Sequence, residues 1–227
     1  MPRNNANPLD GLYEIVNDLW AHETTGSEQT PQSERPEESV PAHDDTKPSV
    51  LPSFETLWKT ADESIDWTDV LVSPLPTDGI TTRERWDFLR TQVNAVLSGD
   101  ISAYSTVLKE VRPLDDLKQY AHKIRVSCIN ADRINVTFNA LTEDATQANE
   151  AYDTYLCGLA IRSARDLFAI LPVQEVSITA GDSSHERLHV VLTRNAMRGI
   201  RFAFIAPAEF ILQNGGSLNH DPHDSAQ

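Results

Sequence analysis

Residues 124–138, IRVSCINADRINVTF, decide the fold because apolar and polar side chains alternate on both sides of a short turn. Alternation with a period of two is typical of a β-strand with one buried face and one face in water. The stretch Asn130–Asp132 between the two runs has the composition of a turn. These residues therefore predict an antiparallel β-hairpin. Its apolar positions are Ile124, Val126, Cys128, Ile134, Val136 and Phe138.

A long helix and a second hairpin follow along the chain. Residues 145–170 carry apolar side chains at helical spacing, and Pro172 ends the pattern. Residues 176–192 then alternate around a turn at Gly181 and Asp182, which predicts two more antiparallel strands. The last predicted elements are a short helix from Asn195 and a helix that begins at Pro207.

The residues before the first hairpin are mainly helical in pattern. Thr81 and Glu84 form a capping box at the start of one helix, and Gly99 is placed to end it. The predicted elements are a helix at 53–64, a strand at 69–73, a helix at 82–98 and a helix at 101–111. The order predicts an α+β fold: a two-layer sandwich in which helices are followed by a β-β-α-β-β core with antiparallel hairpins.

The charge divides the chain into four parts. Residues 21–50 hold seven acidic residues, two basic residues and no aromatic residue, which predicts a disordered acidic linker with four prolines. Residues 51–213 are the α+β domain, and residues 214–227 are predicted to be a disordered tail. Of the formal net charge of −15, only −6 falls on residues 51–215. The domain has no basic stripe with interleaved aromatic residues, so nucleic acid is not an expected partner.

Residues 1–20 form the remaining part, and PLDGLYEIVNDLW at 8–20 has the pattern of an amphipathic helix. Asn7 is a suitable N-cap, and Pro8 suits the first helical position. A helix this short is only marginally stable in water, so its apolar face has to pack against another surface. That surface is either a protein partner or the chain's own domain, and exchange between subunits would give a homo-oligomer. The predicted partner-binding residues are Leu12, Val16, Leu19 and Trp20.

Two polar clusters are the candidates for chemistry. The stretch Asp182–His189, DSSHERLH, holds the residue types of a nucleophile, a base and an orienting acid, but all of them fall in one turn and the strand after it. The more economical interpretation is a polar hairpin turn. The stretch Arg194–Arg201 holds three arginines, which would bind an anion or simply lie on a solvated helix face. Arg162 and Arg165, beside Asp166, are predicted to form surface ion pairs.

No cofactor, metal or catalytic residue is predicted. Cys128 and Cys157 do not make a disulfide framework and are expected to be buried, reduced thiols. No stretch approaches the roughly 20 apolar residues that span a bilayer, and the N-terminus lacks the apolar core of a signal peptide. A cytoplasmic protein without a membrane partner is therefore expected.

Two segments resemble an uncharacterised bacterial domain of unknown function. They are VLSGDISAYSTVLKEVRPLDDL at 96–117 and YLCGLAIRSARDLFAILPVQEVSITA at 155–180, and the similarity spans about residues 53–211. The resemblance implies a bacterial source and carries no activity. The sequence as a whole predicts a non-enzymatic bacterial interaction or regulatory module that presents a tethered amphipathic helix. The alternative is a hydrolase or nucleotide-handling enzyme that uses Asp182–His189 and Arg194–Arg201.

Overall fold

The computed structural model describes residues 55–141, 150–181 and 185–219. The predicted helix at 8–20, its four contact residues and the linker at 21–50 lie outside these residues. The described chain contains six α-helices: α1 (Trp67–Val72), α2 (Arg83–Leu97), α3 (Ile101–Val111), α4 (Glu150–Ile170), α5 (Arg194–Met197) and α6 (Pro207–Gln213). Its strands are β1 (Ala121–Cys128), β2 (Arg133–Ala140), β3 (Glu175–Gly181), β4 (Glu186–Thr193) and β5 (Ser217–Leu218).

The five strands form one sheet in the order β1-β2-β3-β4-β5. Both predicted hairpins are present as antiparallel pairs, β1 with β2 and β3 with β4. The central pair, β2 with β3, is parallel and runs in register from Arg133–Glu175 to Asn139–Gly181. The sheet is therefore mixed. The connection through α4 returns the chain to the end of the sheet where β2 begins, so β3 runs parallel to β2. The predicted α+β class is confirmed.

One face of the sheet carries the core. Alternate residues of the strands are buried on this face, and α4 packs against β3, β4 and α6. α3 contacts β1. The Tyr104 hydroxyl of α3 also donates a hydrogen bond to the Ala131 carbonyl oxygen, in the turn between β1 and β2, at 3.1 Å. The sheet residues buried in the core include Ile134, Val136, Phe138, Val176, Ile178, Leu188, Val190 and Leu192.

The N-cap of α2 is Thr82 and not the predicted Thr81, whose hydroxyl donates to Asp78 instead. The Thr82 side chain accepts a hydrogen bond from the backbone N–H of Arg85, so the helix starts within one residue of the predicted position. Gly99 ends the helix with φ at +81°, a conformation that costs glycine little. Its position against Ala131 leaves no space for a side chain, since a Cβ there would lie 2.6 Å from the Ala131 Cβ.

Two predictions before α2 are wrong. The predicted helix at 53–64 contains, among the described residues 55–64, only the 3₁₀ turn Leu57–Lys59. The following residues instead lie along α4, where the Ile65 N–H bonds to the Ala169 carbonyl oxygen at 2.8 Å. The predicted strand at 69–73 is part of α1. Asp66 caps that helix by accepting from two backbone N–H groups, and Trp67 and Val70, three residues apart, are buried.

β5 lies inside the predicted disordered tail. Leu218 pairs with Leu188 at the outer edge of β4, and the Asn219 N–H bonds to the Arg187 carbonyl oxygen at 2.8 Å. Gly216 makes this possible by passing close to the core: a Cβ there would lie 2.5 Å from Cγ2 of Ile211. Residues 214–219 therefore belong to the folded domain.

Candidate functional site

A cleft of about 880 Å³ lies beside α1 and α2. Its floor is apolar and includes the largely buried side chains of Trp86 and Leu89. Its walls carry many more acidic than basic side chains. The acidic residues are Asp62, Glu63, Asp66, Asp69, Asp78 and Asp116, and the basic residues are Arg85 and Arg112. We call this cavity the acidic cleft.

Several carboxylates of the acidic cleft are fixed by short local hydrogen bonds. Asp69 accepts from the hydroxyls of Ser73 and Thr77, both at 2.5 Å. Asp78 accepts from the Thr81 hydroxyl and from two backbone N–H groups. These bonds favour the ionised form, so they lower the pKa of Asp69 and of Asp78. The wall of the cleft is therefore negative at neutral pH and rigid.

The side of the cleft next to α4 ends in a buried ion-pair network around Arg162. Its Nε lies 2.6 Å from Oδ2 of Asp166, one turn further along α4. Its Nη2 contacts Asp116 at 3.1 Å and Asp62 at 3.3 Å. Its Nη1 donates to the Thr60 hydroxyl. One guanidinium thus joins three carboxylates from three separate parts of the chain.

Asp166 also holds the segment before α1. Its Oδ1 accepts the backbone N–H of Asp62 at 2.8 Å, and the residue is fully buried. Burial raises the pKa of Asp166 to about 7, although these hydrogen bonds and the Arg162 charge act in the opposite direction. The prediction of surface ion pairs for Arg162 is wrong, because α4 is buried on nearly all sides. A local sequence pattern cannot predict hydrogen-bond partners about 100 residues away, such as Thr60 and Asp62. The only sequence feature that indicates the network is the four-residue spacing of Arg162 and Asp166.

A second, smaller groove of about 330 Å³ lies on the other side of the segment before α1. It shares no lining residue with the acidic cleft. Its walls are basic and aromatic, and they include Arg165, Arg194, Arg198, Phe168, Met197 and Phe202. We call it the arginine groove.

Two arginines of the groove are held in place by main-chain carbonyls. Arg165 donates to Trp58 at 2.5 Å and to Thr60 at 2.8 Å, and its guanidinium lies 4.2 Å from the centre of the Phe202 ring. Arg165 is therefore half-buried and structural, contrary to the predicted surface ion pair.

Arg194 closes the C-terminal end of α4. It donates to the carbonyl oxygens of Phe168, Leu171 and Val173. Phe168 is in the last turn of α4, where carbonyl groups lack a partner within the helix, and the other two residues follow the helix directly. Its guanidinium also lies 5.0 Å from the centre of the Phe168 ring. Of the predicted arginine cluster, Arg194 and Arg198 reach the same groove, and Arg201 does not line it.

The described residues of the two predicted chemical clusters lie apart. Asp182, Ser183 and Ser184 lie outside the described residues. His189 projects from β4 on the polar face of the sheet, where its Nδ1 lies 3.2 Å from the Thr179 hydroxyl. Arg194 instead contacts the end of α4 in the helical layer. Neither cavity has a lining residue from 185–193.

The described residues contain no group of three or more histidine, cysteine, aspartate or glutamate side chains placed to hold a metal ion. Within the same residues, no helix has the length and apolarity needed to cross a membrane. Both cysteines are free: Cys157 is buried and Cys128 is half-buried. Burial raises the pKa of the Cys157 thiol to about 12 and that of Cys128 to about 11, so both are protonated at neutral pH.

Comparison of the chain with protein-family models, with curated proteins and with solved structures finds no match in any of the three. The resemblance over residues 53–211 therefore stays a prediction.

Proposed function

We propose that the protein is a non-enzymatic interaction module whose acidic cleft holds a basic, partly apolar segment of a protein partner. The observation that carries this proposal is an exposed apolar side chain among the carboxylates of the cleft. Ile80 lines it and is 70% exposed. Three more lie shortly before Ile80 in the sequence, namely Leu71 at 42%, Val72 at 69% and Leu75 at 51% exposure.

Ile80 stands among the carboxylates that line the cleft, so the complementary ligand has both positive charge and apolar side chains. Lysine and arginine side chains in an amphipathic helix or an extended peptide have this combination. The cleft volume falls within the range of about 300–1,000 Å³ that is common for binding pockets.

The predicted helix at 8–20 is part of the same proposal. It would present Leu12, Val16, Leu19 and Trp20 to a partner at the end of the predicted acidic linker, which would raise the local concentration of the contact. The proposed role of this helix is supported only by the helical spacing of its apolar residues in the sequence.

The cleft is tested by titrating a labelled basic amphipathic peptide into the full-length protein and measuring fluorescence anisotropy. Ile80→Ser and Glu63→Lys should each weaken binding by roughly tenfold or more, since one removes the apolar contact and the other reverses a wall charge. Leu97→Ser and Glu110→Lys are matched controls, because neither residue lines the cleft. Equal effects of the cleft variants and their controls would refute the cleft as the site.

The helix is tested by affinity capture from the native cells. Val16→Asp or Trp20→Ala should abolish capture of a partner, and Val16→Ile should retain it, because only the first two remove apolar contact. If deletion of residues 1–20 changes neither the captured proteins nor the melting temperature, the helix has no docking role.

A further inference from the structure

The arginine groove has a charge opposite to that of the rest of the protein. The chain has a formal net charge of −15, yet the residues that line this groove include three arginines and no acidic residue. Arg201, which is exposed, adds a fourth positive charge just before the 3₁₀ turn Phe202–Phe204. Within the described residues, none of these four arginines forms a salt bridge with a carboxylate.

The nearest buried carboxylate is already used. Asp166 is adjacent in sequence to Arg165, but its two oxygens are occupied by Arg162 and by the Asp62 N–H. Arg165 and Arg194 are instead oriented by neutral carbonyl oxygens, which fix a guanidinium without cancelling its charge. A guanidinium that is fixed in this way and lacks a carboxylate partner is well prepared to bind one.

The groove also has apolar surface to offer. Phe168 and Met197 form its largely buried base, and Phe202 packs against Arg165. Phe204, at the end of the same 3₁₀ turn, is 84% exposed. Phe204 does not line the groove, but it follows the lining residue Phe202 by two positions and offers further apolar surface to a ligand.

We propose that the arginine groove is a second binding site, which takes an acidic amphipathic peptide segment of a partner protein. Carboxylates of the segment pair with Arg165, Arg194 and Arg198, and its apolar face covers Phe202 and Phe204. The size of the groove, about 330 Å³, suits one or two anchoring side chains of such a segment. This site is independent of the acidic cleft and selects the opposite charge.

Charge favours a short peptide over a nucleic acid as the occupant. A nucleic acid carries charge far beyond the groove, and the surrounding negative surface would repel it. A short acidic segment contacts the arginines directly. The acidic side chains elsewhere on the protein repel it little, because their charge is screened over about 8 Å at physiological salt.

The test uses the full-length protein and a panel of fluorescein-labelled acidic amphipathic peptides of about 12 residues. Each peptide has a twin in which every glutamate is replaced by glutamine. Anisotropy should show that the acidic peptides bind roughly tenfold or more tightly than their twins, and that added salt weakens them. Arg198→Glu and Phe204→Ser should each weaken binding by a similar factor.

Arg90→Glu is the matched control, because this exposed arginine of α2 lines neither cavity and its substitution changes the total charge equally. Circular dichroism melting checks that each variant is folded. The proposal is overturned if no acidic peptide binds better than its glutamine twin, or if Arg90→Glu weakens binding as much as Arg198→Glu. Equal binding of a labelled single-stranded oligonucleotide would also overturn it.

Discussion

Arg162 and Asp166, one turn apart on α4, form an ion pair that is sealed inside the protein, with 8% and 0% of their side chains exposed. Two further aspartates and the Thr60 hydroxyl complete the coordination of the guanidinium. The pair fixes the segment before α1, and that segment separates the acidic cleft from the arginine groove.

Replacing the buried guanidinium should be strongly destabilising. Arg162→Met leaves a buried carboxyl group without its cation, so we expect the free energy of unfolding to fall by about 3–5 kcal/mol. Urea denaturation measures this. The control is Arg83→Met, which breaks the exposed pair with Asp87 and should cost less than about 1 kcal/mol. Equal losses in the two variants would show that the network contributes no more than a surface pair.

The stability should depend on pH through Asp166. Its pKa is about 7 in the folded protein and about 4 in an unfolded chain, so between these values the folded state keeps a proton that the unfolded state has lost. This contribution is fully present below about pH 4 and is lost as pH rises through about 7, with a slope of at most about 1.4 kcal/mol per pH unit.

Asp166→Asn should remove that part of the slope. Urea denaturation of the wild type and of the variant, compared from about pH 5 to about pH 8, measures the difference. Identical slopes in the two proteins would mean that Asp166 does not take up a proton on folding in this range.

Gly158 is expected to resist substitution although it lies in the middle of a helix. Alanine is normally favoured over glycine there by about 0.5–1 kcal/mol. A Cβ at this position would lie 2.8 Å from Cε3 of Trp58, so Gly158→Ala should instead lower stability by about 1–3 kcal/mol. Trp58→Leu in the same chain should restore the normal preference for alanine. Thermal melting of the four proteins in this cycle measures the coupling, and additive effects would rule out the close contact.

Both thiols should be nearly unreactive in the folded protein. Their raised pKa values leave almost no thiolate at neutral pH, and Cys157 is also fully buried. A colorimetric disulfide reagent should label two thiols per chain in denaturant and label neither at a comparable rate under native conditions. Rapid native labelling of Cys128→Ser would show that Cys157 is accessible.

The sequence predicts those parts of the fold whose signal is local. The first hairpin follows from the alternation around Asn130–Asp132, and α2 follows, to within one residue, from the predicted capping box at Thr81 and from Gly99. α1 is missed because the short run VLV has a strand-like composition, whereas its helical state depends on Asp66 and on Trp67, whose Nε1 bonds to the Ile170 carbonyl oxygen at 2.8 Å.

The candidate sites are less predictable because their residues meet only after folding. The acidic cleft combines side chains from residue 62 to residue 170. Arg162 pairs with Asp62 and Asp116, which are 100 and 46 positions away in the sequence. The arginine groove was predicted in part, since Arg194 and Arg198 stand close in sequence. Its third arginine, Arg165, belongs to another helix and was assigned to the surface.

The parallel pairing of β2 with β3 has a consequence for how the chain folds. Each hairpin closes between neighbours in sequence, but Arg133 and Glu175 on the central pair are 42 positions apart. Loop-closure entropy must be overcome before that pair forms, so it should form after the hairpins and set the folding rate. Once formed, the same pair lies inside the sheet with Val136 and Ile178 fully buried, so its amide hydrogens should exchange only on global unfolding, whereas the two-residue edge strand β5 should open first.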